Sequence, residues 1–303
     1  MLNSSERIIT THAGSLPRPD SLPPLIAARA RGADYDKALL DKTLSEGVDE
    51  VVRLQIENGI DSVNDGELSK TNFTNYVRER LGGMVARPLK PGETVDAMNI
   101  SARDIRDFPE YYREHDFFGR PLQSAPSDAI MSGGVQSGQA NYTFCVEPLT
   151  YIGKPSVEED IRNFRAAVDK HKPLEAFLPA NSPGTIEHWL RDDYYHDTEK
   201  FLTAIADAMH DEYKAITDAG FVLQIDDPDL PDGWQMFPEM SVRDYQKYAM
   251  LRVEALNHAL RDCPRDRVRL HVCWGSGHGP HTHDIPLRDL TDVIFAVKAG
   301  SYS

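Results

Sequence analysis

Short β-branched runs alternate along this chain with long amphipathic stretches, and that rhythm restricts it to repeated βα units around a parallel sheet. The strand-like runs are Ile8 to Thr11, Asp61 to Asn64, Leu174 to Leu178, Phe221 to Ile225 and Val268 to Val272, and helical patterning covers 36–58, 71–82, 197–218 and 241–260. At 303 residues with 40% apolar content, the chain can bury one large core. A closed barrel of eight strands, each followed by a helix, takes about 250 residues. Roughly six or seven strands can be counted here, and the sequence stops at AVKAGSYS inside a strand-like run. The expectation is an α/β fold, a (β/α)8 TIM-type barrel truncated before its last strands, with residues 1–303 forming one catalytic domain that is incomplete at its C-terminus. From about 85 to 150 the rhythm lapses into a segment rich in Pro, Gly, Tyr and Arg, read as an insertion that serves as a lid, a binding loop or a satellite core.

Charge and cysteine content narrow the partners. The formal net charge of −15, from 33 basic and 48 acidic residues, repels phosphate backbones, so nucleic acid is excluded as a partner. No basic segment followed by an apolar run opens the chain, and no stretch approaches 18 uninterrupted apolar residues, which argues against secretion and membrane spanning and for a cytoplasmic protein. Three well-separated cysteines, Cys145, Cys263 and Cys273, suit a reducing compartment and leave thiols free for metal or chemistry.

Polar residues gather where the strands end, which in a parallel α/β fold is the active-site face. The groups are Thr10-Thr11-His12-Ala13-Gly14-Ser15, Asn64-Asp65-Gly66-Glu67, Gln224-Ile225-Asp226-Asp227-Pro228 and His271-Val272-Cys273-Trp274-Gly275. In an extended strand His271 and Cys273 point to one face, where an imidazole nitrogen and a thiolate can share a zinc ion. Zinc would lower the pKa of a substrate thiol and make it a nucleophile near neutral pH. The competing reading makes Cys273 a small buried apolar group. His278, His281 and His283 sit at irregular spacing in a Gly-rich loop and suit positioning or solvent exposure. Glu67 and Asp226 either cap the helices that follow them or converge on a cationic group such as a substrate amine.

Five segments taken in order, TTHAGSLPRP at 10–19, VNDGEL at 63–68, NSPGTIEHW at 181–189, LQIDDPDLP at 223–231 and HVCWG at 271–275, resemble the catalytic C-terminal barrel of the cobalamin-independent methionine synthase family and its single-barrel relatives. The resemblance covers nearly the whole chain. It implies a zinc-dependent methyltransferase that carries a methyl group from a 5-methyltetrahydrofolate-type donor to the thiol of homocysteine. It also implies that His271 and Cys273 are zinc ligands, that Glu67 and Asp226 hold the amino group of homocysteine, and that Gly14 and Ser15 hold its carboxylate. Trp189 matches a tryptophan that stacks on the pterin ring, with a core role as the alternative.

The sequence also departs from the family pattern. The family completes its zinc site with a Glu and a second Cys farther along, and neither Cys145 nor Cys263 has that context, so a metal-poor and inactive chain is expected. A single-barrel relative that joins coenzyme M to epoxyalkanes offers a second reading. Its sulfonate substrate needs a basic residue at the pocket, which Arg18 or Lys70 could supply. A third reading is a family-derived metal-binding protein that has lost turnover. The oligomeric state is open.

Overall fold

The computed structural model describes residues 1–73, 75–91, 93, 102–115, 142–275 and 277–303. The parts of the expected 85–150 insertion at 94–101 and 116–141 lie outside these described residues. A curled parallel sheet forms the centre, in the order β1 (Ser62–Val63), β4 (Glu175–Asn181), β6 (Val222–Asp226), β7 (Val268–His271) and β8 (Ser301–Tyr302). A parallel bridge from Thr11 to Ser62 extends it on the β1 side. Each strand therefore pairs with the next one of its sheet in chain order, the winding of a barrel wall. What the described residues form is a half-barrel.

The helices that cover this wall start where short polar side chains can cap them. Asp36 accepts from the Leu39 amide to open α2 (Lys37–Glu57), Asp197 from Lys200 to open α7 (Thr198–Asp218), and Ser241 from Asp244 to open α9 (Val242–Ala259). Their apolar stripes, Leu44, Val48 and Val52 on α2 and Ile205, Met209 and Ile216 on α7, are almost fully buried with Leu178, Ala180, Leu223 and Ile225 of the strands. Each such side chain contributes about 1.5–3 kcal/mol when removed from water. An additional helix, α5 (Lys154–His171), buries Val157, Asp160, Phe164 and Ala167 at three- and four-residue spacing and packs beside α2.

One expected helix is absent. Residues 71–82 instead give a single 3-10 turn at Asn75–Glu79 and then a strand, β2 (Leu81–Arg87). β2 runs antiparallel to β3 (Tyr142–Tyr151), and β3 runs parallel to β5 (Leu190–Asp192), making a second, three-stranded sheet. The glycines decide against helix here. Gly83 has φ +86°, and a Cβ there would lie 2.6 Å from the Pro148 carbonyl oxygen, at a bulge between Gly82 and Met84.

A proline stands inside the main sheet. Pro179 pairs in register with Gln224, and its own edge faces β1, which ends at Val63. The Pro179 carbonyl accepts instead from the Lys70 ammonium at 2.5 Å, so no ladder bond is missed. Two short helices, α3 (Ala102–Asp107) and α4 (Pro109–Glu114), sit beside the 229–240 loop, where Arg103 donates to the carbonyls of Trp234 and Pro238 and stacks on Trp234. No helix among the described residues is long and apolar enough to cross a membrane.

Candidate functional site

Strand register sets which side chains share the inner face of the wall. Ser62 lies opposite Glu175, Pro179 opposite Gln224, Gln224 opposite Arg269, Asp226 opposite His271, and Arg269 opposite Ser301. In a parallel sheet, paired residues point to the same side. The inner face therefore carries Ser62 and Glu175 lowest and a row of Pro179, Gln224, Arg269 and Ser301. Above it, toward the C-terminal strand ends, lie Asn181, Asp226 and His271.

The Glu67 turn follows β1 directly. The Asn64 side-chain oxygen accepts from the Gly66 amide at 2.8 Å and that of Asp65 from the Glu67 amide at 3.0 Å, two successive Asx turns. Gly66 at φ +67° is followed by Glu67 at φ +54°, a left-handed conformation that costs a non-glycine residue about 1–3 kcal/mol. The strain turns the Glu67 side chain inward, where Ser15 Oγ donates to its Oε2 at 2.8 Å. Gly14, at φ +86°, makes the bend that brings Ser15 there. Arg18 fixes the turn from behind by donating to the carbonyls of Glu67 (3.0 Å) and Lys70 (2.7 Å).

Asp226 stands at the end of β6, buried, with Gln224 Nε2 donating to its Oδ1 at 2.7 Å. Burial, reinforced by the charge of Glu67, pushes its pKa up to about 7. The charge of Glu67 thus reaches the Asp226 carboxyl. The neighbouring Asp227 is also raised to about 7, by burial, and Asp65 to about 6, again by burial, with Lys70 opposing the rise. An acid whose folded pKa lies above its unfolded value keeps its proton in the native state where the unfolded chain has lost it. Its contribution is therefore most favourable below about pH 4 and is lost as pH rises through about 6 to 7. Chemical denaturation of the ligand-free chain should show stability falling from the low end of that window to the high end, once the contributions of exposed carboxylates are matched in Asp65→Asn and Asp227→Asn controls. A flat profile would contradict it.

His271 and Cys273 lie at the same rim, both half-buried. The His271 ring bonds through Nδ1 to Ser303 Oγ at 3.1 Å, and burial, with Arg269 adding to it, lowers its pKa and keeps the imidazole neutral. Burial raises the pKa of the Cys273 thiol. One nitrogen and one sulfur donor are of the right chemical kind for zinc, but a zinc site takes three or four protein donors. Among the described residues no three His, Cys, Asp or Glu side chains converge for a metal. The described residues do not by themselves fit a zinc site.

Trp189 ends α6 (Pro183–Trp189), half-buried, with its indole nitrogen buried and unpartnered. His188 is held in the core between Asp229 at 2.9 Å and Tyr248 at 2.7 Å. His281 bonds Asp284 and His283 bonds Asp107, so these loop histidines have structural partners. Arg18 and Lys70, the cations considered for a sulfonate, are engaged in the fold: Arg18 on the backbone of the Glu67 turn, and Lys70 on Pro179 and over the Tyr76 ring at 4.5 Å. Arg269 is the residue whose place near the acids residue type did not announce; Gln224 stood in the Asp226 group without a role, and Lys70 was offered only for a sulfonate. The signal for Arg269 was its position two residues before His271, on the same strand face. A cavity of about 730 Å³ lies elsewhere, toward the N-terminal strand ends, between Glu175, Arg269, Ser301 and the first residues of the chain. The acids and the His-Cys pair are at the opposite rim, where parallel α/β folds place their chemistry.

No family model matches the chain. A methionine synthase of Sulfolobus acidocaldarius is 22% identical over 295 residues, covering 97% of this chain and 69% of that protein. One from Pyrococcus horikoshii is 22% identical over 273 residues, covering 88% and 62%. A 5-methyltetrahydropteroyltriglutamate–homocysteine methyltransferase of Shewanella oneidensis is 26% identical over 223 residues, covering 69% of this chain and 26% of its own length. Among solved structures, a B12-independent methionine synthase from a Shewanella species, in complex with selenomethionine, aligns with a TM-score of 0.57 at 19% identity over 88% of this chain and 61% of its own. A putative enzyme of the same kind from Listeria monocytogenes aligns with a TM-score of 0.58 at 18% identity, covering 98% and 73%. By these likenesses, all below 30% identity, the chain is similar to cobalamin-independent methionine synthases.

Proposed function

We propose that the chain binds an amino-acid thiol and takes part in its methylation, as a methyltransferase acting on homocysteine with a 5-methyltetrahydrofolate-type donor. The observation that carries this reading is the convergence of two buried acids, Glu67 and Asp226, at the same strand-end rim as His271 and Cys273. Two carboxylates that repel one another are relieved by an ammonium group placed between them. A thiol whose amine is held there is presented toward the rim. In this reading Gly14 and Ser15 contribute to the carboxylate end of the amino acid, and Trp189 offers an indole face to the pterin of the donor.

Zinc belongs to the reading through the resemblance, with His271 and Cys273 as two of its ligands, and would supply a lowered thiol pKa. The half-barrel would be part of a (β/α)8 barrel that forms one catalytic domain, with 85–150 an insertion in its sequence. Engagement of Arg18 and Lys70 within the fold favours an amino-acid thiol over a sulfonate one. The test is methionine formation from homocysteine and 5-methyltetrahydrofolate with zinc supplied, read by mass spectrometry, beside the same assay with coenzyme M as acceptor. Methylated homocysteine as the main product supports the reading, and alkylation of coenzyme M in its place overturns it.

A further inference from the structure

Asp226 is oriented from behind by a chain of buried polar groups whose direction is fixed by chemistry. Arg269 Nε donates to Gln224 Oε1 at 2.8 Å, and Gln224 Nε2 donates to Asp226 Oδ1 at 2.7 Å. All three side chains are buried: Gln224 is 1% exposed, Asp226 5% and Arg269 6%. A glutamine amide can turn over and exchange its oxygen for its nitrogen. Here it cannot, because a guanidinium has donors only and so holds the amide oxygen toward itself. The amide nitrogen is thereby aimed at Asp226, and this donor occupies one of its two carboxylate oxygens.

Arg269 is in turn held in place. Its Nη1 lies 3.6 Å from Glu175 Oε1 and 3.3 Å from Ser62 Oγ, and its guanidinium lies over the Phe177 ring at 4.2 Å. Ser62, Glu175 and Phe177 come from two other strands of the wall. The position of the Asp226 carboxylate is thus referred to β1, β4 and β7 at once, rather than to its own strand alone.

We propose that Gln224 and Arg269 are positioning residues for amine recognition: they hold Asp226 with one oxygen occupied and the other presented to the ammonium group of the amino-acid ligand. Neither residue touches the ligand. This rests on the proposed function, in that it takes the amine as what Asp226 recognises.

The experiment measures how strongly the full chain prefers an amine. Isothermal titration compares L-methionine with 4-(methylthio)butanoate, which lacks only the amino group; both carry the same thioether, so no thiolate forms and any contact to sulfur is common to the two. The unaltered chain should bind L-methionine more tightly. Gln224→Met, close to isosteric, should reduce that preference about tenfold, the scale of a lost hydrogen bond to a charged group. Arg269→Lys keeps donors toward the amide oxygen and should retain most of the preference, whereas Arg269→Met should lose it. Melting temperatures are recorded beside each titration, because a merely structural role weakens both ligands together and leaves their ratio unchanged. No preference for the amine in the unaltered chain overturns the reading of the acid pair itself, and this inference with it. A preference in the unaltered chain that survives within about twofold in a folded Gln224→Met overturns the inference alone. Should Gln224→Met fail to fold, the contrast between Arg269→Lys and Gln224→Asn, whose shorter amide cannot span from Arg269 to Asp226, decides in the same way.

Discussion

Replacing Arg80 by methionine should cost about 3–5 kcal/mol of folding stability, the scale for removing one partner from a buried ion pair. Arg80 is 3% exposed and lies between two carboxylates that are themselves buried: Asp160 at 2.6 Å and Glu212 at 3.5 Å. It also donates to the Gly153 carbonyl, while Tyr151 donates to Glu212 from the other side. The substitution leaves two buried acids without the guanidinium that pairs with both of them. Urea denaturation of the variant against the parent measures the difference, with Arg80→Lys expected to lose less because it keeps the charge. A loss below about 1 kcal/mol would show that water reaches this network and that it is worth no more than a surface pair.

Asp226→Asn should have the largest effect on ligand binding. Removing one member of a buried charge pair weakens binding by about a hundredfold, and L-methionine affinity by titration calorimetry is the measurement. The same substitution should raise the stability of the ligand-free chain at neutral pH, because it removes an acid that burial and Glu67 hold at a pKa of about 7. Binding falls while stability rises. That opposite movement separates a ligand-binding acid from a structural one: if the variant melts lower and binds no worse, Asp226 is part of the fold and the acid pair is not an amine site.

What could be read from the sequence depended on how local the determining contacts are. The helices at 36–58, 197–218 and 241–260 were legible because each carries its own stripe and its own cap, Asp36, Asp197 and Ser241. The helix expected at 71–82 failed because Gly82 and Gly83 answer to a distant partner strand, and their close approach to Thr150 and Pro148 leaves no trace in local periodicity. Lys154–His171 went unassigned although its buried positions keep helical spacing; one of the four, Asp160, is polar and breaks the apolar pattern because its partner is Arg80. At the site, Glu67 and Asp226 stood out as acids after strands. Gln224 lay in the same polar group, two residues before Asp226, without a role, and Arg269 was not named because its relation to Asp226 depends on register between β6 and β7 rather than on spacing along either one.

Pro179 gives the wall an unusual kind of boundary. β1 contributes two paired residues, the last being Val63 opposite Ala176, and three residues farther along the strand beside it Pro179 offers a nitrogen with no proton and a carbonyl already taken by Lys70. Backbone pairing cannot resume at Pro179, which leaves the chain free to keep the turns that end at Glu67. An alanine at 179 would not mend the sheet. It would set a new buried N–H against the ammonium of Lys70, donor facing donor, so the residue usually counted as a strand breaker is here the one that lets strand and acid turn lie side by side.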